Sequence, residues 1–262
     1  MEKENISARI INISPKVDTN TWLFGYVDCE GNWVIEAQFG ICHEFEISGL
    51  ALAKDAQLEL YGWINKKGDW VIEPKYLWAF SFAANGLAVA RDANTKRWGY
   101  INEKGEWVIK AKYRGATTFN NAGAALVMVK DAKGLKWVAI NERGKLLLAP
   151  QNIYGFSRFN NMRILIFDTK TGLYGFINSN CEVIKPKFKQ LLDYYNEGPI
   201  IAQDTKTNFW GFINESGKWI SEPKFMEIEP FDNEGLAKAQ DAKTQLWGHI
   251  NLEGKWIIKP PL

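Results

Sequence analysis

Histidine is almost absent from this 262-residue chain. His43 and His249 are the two present, so a multi-histidine metal site within one chain is excluded. Cysteine is nearly as scarce: Cys29, Cys42 and Cys181 form an odd set with no close spacing. Neither a disulfide framework nor a zinc site is built that way, and three small, partly buried thiols are expected. No apolar run approaches the ~20 residues that span a bilayer as a helix. The opening Met1-Glu2-Lys3-Glu4-Asn5 is charged and lacks the apolar stretch of a signal peptide, so a cytoplasmic location is expected. An excess of either charge is also missing: 32 Lys and Arg oppose 30 Asp and Glu, for a net charge of +2. That removes the usual basis for nucleic-acid binding. A hydrophobic content of 46% excludes intrinsic disorder.

Chemistry-bearing motifs are equally sparse. There is no Gly-x-Ser-x-Gly elbow and no glycine-rich phosphate loop ahead of a helix. The adjacent Cys42 and His43 do not form a nucleophilic pair by sequence proximity alone. His249 stands where other segments carry Trp63, Tyr100, Phe176 or Phe212, and reads as a packing substitute. No catalytic, cofactor-binding or metal-binding residue is assigned.

Aromatics, by contrast, are abundant: 12 Trp, 15 Phe and 9 Tyr make up 14% of the chain. Their placement is periodic. An Asp lies six residues before an aromatic seven times: Asp18/Phe24, Asp55/Tyr61, Asp92/Trp98, Asp131/Trp137, Asp168/Tyr174, Asp204/Trp210 and Asp241/Trp247. The aromatic anchors are 37, 37, 39, 37, 36 and 37 residues apart. Self-similarity of this kind marks a repeat architecture. Each Asp is expected to open a loop and bond its backbone.

Within each unit, an Asn-x-x-Gly turn follows the anchor, as at Asn65 to Gly68 and Asn102 to Gly105. The Asn bonds the turn backbone and the Gly accepts a positive φ, which predicts a hairpin. A second aromatic row comes two residues later: Trp33, Trp70, Trp107, Trp219 and Trp256. The stretch it opens runs to Pro74, Pro186 or Pro223, where the strand is expected to stop because proline donates nothing to a ladder. A crossing segment carries another aromatic, such as Phe45, Phe80 or Phe119, with room for a short fourth strand. A strand of the form Gly-Leu-Ala-x-Ala follows at Gly86 and Gly235. Trp98, Trp107, Trp210, Trp219, Trp247 and Trp256 are expected in the core, each burying ~150–250 Å². No sustained helical periodicity interrupts the pattern, and the fold class is all-β.

The frame resembles the Trp-Gly repeat family, also called WG or KWG repeats. The resemblance is carried by Trp98-Gly99, Trp210-Gly211 and Trp247-Gly248, by the variants Tyr61-Gly62, Tyr174-Gly175 and Phe24-Gly25, and by the Asn-x-x-Gly-x-Trp segments. It covers residues 18 to 262, within one WG-repeat domain of residues 1–262 anchored at Phe24, Tyr61, Trp98, Trp137, Tyr174, Trp210 and Trp247. Two units depart from it. One has Val138 for the glycine and Leu146 for the second Trp; the next has Asn180-Cys181 at the turn. The resemblance implies a bacterial interaction scaffold of regulatory or toxin-neutralising type, and no common catalytic activity.

Seven regular units without polar caps fit a closed ring, the seven-bladed β-propeller, in which the N-terminal strand-like segment 8–13 completes the last blade. The alternative is an open β-solenoid of stacked hairpins. The expected function is a non-enzymatic protein-interaction scaffold, with a protein partner, no nucleic acid, no membrane and no cofactor; a monomer is compatible with it. Binding is expected where units differ, in the crossing segments: Trp78, Arg114, Tyr154, Arg158, Tyr194 and Tyr195. A carbohydrate or small-ligand module using exposed aromatics is the alternative. A hydrolase with carboxylates at a central channel ranks last.

Overall fold

The computed structural model describes residues 13–132, 134–147, 153–158, 163–192 and 199–260, with backbone only for 153–158. The segment 8–12, Tyr194 and Tyr195 lie outside the described residues. All regular structure among the described residues is antiparallel strand; no helix occurs there. The chain groups into two compact units, Met1–Phe119 and Asn120–Leu262.

The first unit is a meander. β1 (Ser14–Val17), β2 (Phe24–Val27), β3 (Trp33–Cys42), β4 (Ala51–Asp55), β5 (Tyr61–Ile64), β6 (Trp70–Ala79), β7 (Ala88–Asp92), β8 (Trp98–Ile101) and β9 (Trp107–Tyr113) join in chain order, and the two-residue β10 (Gly115–Ala116) follows. In the second unit β11 (Ala124–Asp131) and β12 (Gly134–Asn141) form a hairpin. β13 (Ile153–Arg158), β14 (Ile164–Asp168), β15 (Leu173–Ile177) and β16 (Val183–Phe188) form a four-stranded sheet. β17 (Gln190–Leu192), β18 (Ile200–Gln203), β19 (Trp210–Ile213), β20 (Trp219–Ile228), β21 (Leu236–Asp241), β22 (Trp247–Asn251) and β23 (Trp256–Ile258) form a seven-stranded one.

The expected stop at proline does not occur. β6 and β20 run ten residues each, straight through Pro74 and Pro223, and β16 runs through Pro186. The reason lies in the register. Trp63 pairs with Ile72 and Tyr61 with Tyr76, with a shift between them that leaves Pro74 outside the regular ladder. A bulge of this kind leaves a residue unpaired and bends the strand, so no N–H is missed there. Beyond the bend the same strand pairs with β7, Tyr76 facing Asp92 and Ala79 facing Ala90. The crossing segment is therefore the second half of one long strand, and a unit of about 37 residues needs three strands rather than four.

The bend explains the glycine of the Trp-Gly pair. A β-carbon on Gly62 would lie 2.9 Å from the Pro74 nitrogen, and the Ile72 carbonyl is closer still. Gly211 meets Ser221 and Pro223 in the same way. Where Val138 replaces this glycine, the described segment after β12 reaches back, beyond the Asn141 turn, through an Ile140–Leu146 bridge and the Leu147 N–H donating to the Ala139 carbonyl.

The core aromatics are one step removed from the expected row. Tyr26, Trp63, Tyr100, Phe176 and Phe212, two residues after the anchor, are fully buried. Five of the anchors, Phe24, Tyr61, Trp98, Trp210 and Trp247, open their strands at the mouth of the Asp loop. Trp98 and Trp210 are half-buried there, and Trp247 keeps 39% of its surface exposed. The second Trp row has a different task. Trp70, Trp107, Trp219 and Trp256 each meet, edge to face, a ring 31 residues earlier: Phe39, Tyr76, Phe188 and Phe225, at centroid distances of 5.3–5.7 Å. These contacts staple one repeat to the next, and such geometry adds to simple area burial. Leu146 occupies the staple position in the repeat that opens the second unit.

Candidate functional site

Six of the seven Asp residues are loop caps. Asp92 Oδ1 accepts from the Thr95 N–H and hydroxyl, both at 2.7 Å. Asp204 and Asp241 repeat this with Thr207 and Thr244, and Asp18 accepts from the Asn20 N–H and the Thr21 hydroxyl. The backbone N–H of Asn20, Thr207 or Thr244 is the chief cause holding Asp18, Asp204 and Asp241 below the usual carboxylate range. At Asp92, partial burial opposes the same bonds and is outweighed. Each charge is thus used inside its own loop. Asp55 caps the Gln57 and Leu58 N–H groups, and Asp168 caps Lys170. Asp131 takes an ion pair from Lys136 at 2.8 Å.

Among the described residues no cluster of three His, Cys, Asp or Glu suits a metal ion. Cys42 is buried, and burial pushes its thiol up to about 12; His43 is exposed, and its carbonyl accepts from the Tyr26 hydroxyl at 2.7 Å. A groove of about 640 Å³ lies in the first unit beside Glu46, Ile47, Phe82 and Glu103. Glu46 accepts the Phe82 N–H there with both oxygens at 3.1 Å. Burial raises its carboxyl above the ordinary value.

The surface that stands out crosses β6, β7 and β8. Trp78 lies directly opposite Arg91, and Arg91 directly opposite Trp98. Residues paired across strands share a face, so the three form one Trp-Arg-Trp row. Trp78 keeps 49% of its surface exposed and Phe80 44%. Trp78 leans on Tyr61 at 5.4 Å, and Phe80 on Trp98 at 6.1 Å. The Arg91 guanidinium stands 6.0 Å over the Trp98 ring, while its Nε donates to the Lys96 carbonyl at 3.1 Å.

The equivalent rows differ. They read Ile41–Lys54–Tyr61, Tyr154–Phe167–Tyr174, Gln190–Gln203–Trp210 and Glu227–Gln240–Trp247. Gln203 and Gln240 donate to the Asn208 and Gln245 carbonyls, each at 2.8 Å, which is the bond Arg91 makes with Nε. A glutamine therefore satisfies the loop. The rest of the Arg91 guanidinium and the indole of Trp78 exceed what the fold requires.

Of the binding residues singled out in the sequence, Trp78 is the one this row contains. Arg114 is exposed on the bend between β9 and β10. Tyr154 and Arg158 pair with Phe167 and Ile164 within β13 and β14. Trp63, which lies outside both Trp rows of the repeat, is core. Arg91 was missed. The signal was available one residue before the loop Asp, where the repeats read Val17, Lys54, Arg91, Lys130, Phe167, Gln203 and Gln240.

Residues 24–55, 61–94, 98–133 and 210–241 match the family model described as WG containing repeat. No curated protein matches the chain. Among solved structures, a nidogen/laminin complex is similar at 13% identity and TM-score 0.33, covering 78% of this chain and 86% of that one. Kluyveromyces lactis Hsv2p is similar at 12% and 0.41, covering 92% and 81%. Pyrococcus horikoshii acylaminoacyl peptidase is similar at 10% and 0.39, covering 95% and 50%. TM-scores this low decide neither fold nor activity.

Proposed function

We propose, from the premise that the chain belongs to the WG-repeat family, that it is a non-enzymatic protein-interaction scaffold which holds a protein partner on the Trp78–Arg91–Trp98 row. The observation that carries this reading is the exposed Trp78 beside a guanidinium that the fold does not require. Trp, Tyr and Arg are the residues that most often dominate binding energy. Covering the open half of the Trp78 ring gains on the order of 3 kcal/mol. A setting in the bacterial cytoplasm, in regulation or toxin neutralisation, belongs to the same proposal.

The proposal also takes the seven repeats as one domain, the blades of a closed β-propeller with segment 8–13 pairing into the last blade. Seven near-equal repeats support it, because closure removes the two edges that an open array leaves.

The test is affinity capture from bacterial lysate with the tagged chain. One stoichiometric protein is expected, with capture lost in Trp78→Ile, the residue present at the equivalent Ile41. Absence of any protein at high bait concentration, with tryptophan fluorescence quenched by a member of a glycan panel, would replace the scaffold reading by a carbohydrate-binding one.

A further inference from the structure

Resting on the scaffold reading, we infer that the partner presents a carboxylate-rich segment, which docks across Trp78, Arg91 and Trp98. The charge around the row supplies the direction. From Arg91 to Trp98 the strand end and loop carry Arg91, Lys96 and Arg97 against Asp92 alone, a net +2. The equivalent stretch 54–61 carries Lys54 against Asp55 and Glu59, a net −1, and the stretches 203–210 and 240–247 are neutral. Lys54 is already paired with Glu59 at 3.2 Å.

Lys130 to Trp137 carries a similar basic excess, but Gly115 stands where Trp78 would be. The row at β6–β8 therefore joins two properties that are separate elsewhere: a surplus guanidinium and open indole and phenyl faces. A guanidinium fixed over an indole retains terminal N–H donors in a planar fork, which matches a carboxylate. The flanking Trp78 and Phe80 cover the apolar side chains beside that carboxylate. A nucleic acid would need basic charge tracking along the surface, whereas the whole chain carries only +2.

Fluorescence anisotropy with the intact chain tests this, using a labelled dodecapeptide of repeating Glu-Asp-Leu. The comparison probes are its Gln-Asn-Leu counterpart and an oligothymidylate. Arg91→Gln keeps the loop bond that Gln203 and Gln240 make, so folding is retained, and unchanged thermal unfolding verifies it. The acidic peptide is expected to bind, to weaken with salt, and to lose about tenfold in affinity in Arg91→Gln. Trp78→Ile is expected to weaken it comparably. Equal binding of the neutral peptide, tighter binding of the oligothymidylate, or unchanged affinity in Arg91→Gln each overturns the inference. In the capture experiment, a partner lost in Trp78→Ile but kept in Arg91→Gln leaves the scaffold reading standing and removes the acidic segment. A partner kept in both removes the recognition row itself.

Discussion

The carbonyl oxygen of Ile109 lies 2.5 Å from the point that a β-carbon on Gly99 would occupy. The Ala111 nitrogen is 2.7 Å from the same point. Both neighbours are backbone of the bent strand β9, so neither has a rotamer to yield. Gly99→Ala is expected to lose at least about 2–3 kcal/mol by overpacking. Gly86→Ala is the contrast: its φ is +73° but nothing lies within 4 Å, so only backbone strain of about 1 kcal/mol is expected. Urea denaturation of the two variants checks the order, and equal losses would mean that close approach is not what selects the Trp-Gly glycine.

The staple between Tyr76 and Trp107 gives a second expectation. Trp107→Leu places there the residue that Leu146 supplies at the equivalent position. A loss of about 2 kcal/mol is expected from the removed ring area. A double-mutant cycle with Tyr76→Leu should return a coupling of about 0.5–1.5 kcal/mol, the range for edge-to-face pairs. Additive losses would show that the rings pack independently.

Acid should act first on the loop caps. Asp18, Asp92, Asp204 and Asp241 titrate in the folded chain below the ordinary 3.8. A depressed folded value means that the unfolded chain binds the proton first. Their contribution is therefore complete above the ordinary value and is lost as pH falls through and below about 4. Unfolding free energy measured from about pH 6 down to about pH 2 should decline in that window. Replacing the four by Asn should flatten the decline; an unchanged slope would place the acid sensitivity elsewhere.

Glu215 joins distant segments of the second unit. Its carboxylate takes the Arg163 Nε at 2.7 Å and a second bond from the same guanidinium, with the Ser179 N–H at 3.4 Å. Arg163 is buried, so Glu215→Gln leaves its charge without a countercharge from that side. A destabilisation of about 2–4 kcal/mol is expected by thermal and chemical unfolding. A loss within about 0.5 kcal/mol would show the pair to be no stronger than a surface one.

Much of the local structure was legible in the sequence because it is made within a few residues. The Asn65 side chain bonds the N–H groups of Lys67 and Asp69, and Gly68 closes the turn at φ +87°. Asp92 caps Thr95 three residues on. Spacing alone displays such bonds. Proline was misread for a corresponding reason: whether Pro74 ends a strand depends on a register shift against β5, ten residues away and set by Gly62.

What the sequence by itself determined was the repeat, its length, its two turns and its all-β character. All of these follow from side chains acting on their own backbone or from alternation along a strand. Tertiary structure alone decided which aromatics are core, which staple neighbouring repeats and which stay open. Trp78 and Arg91 are thirteen positions apart in the chain and meet only because β6 continues past its bend to pair with β7. Pairing of that kind is set by cross-strand register and by the packing of one repeat on the next, and neither is written in the neighbourhood of a single residue.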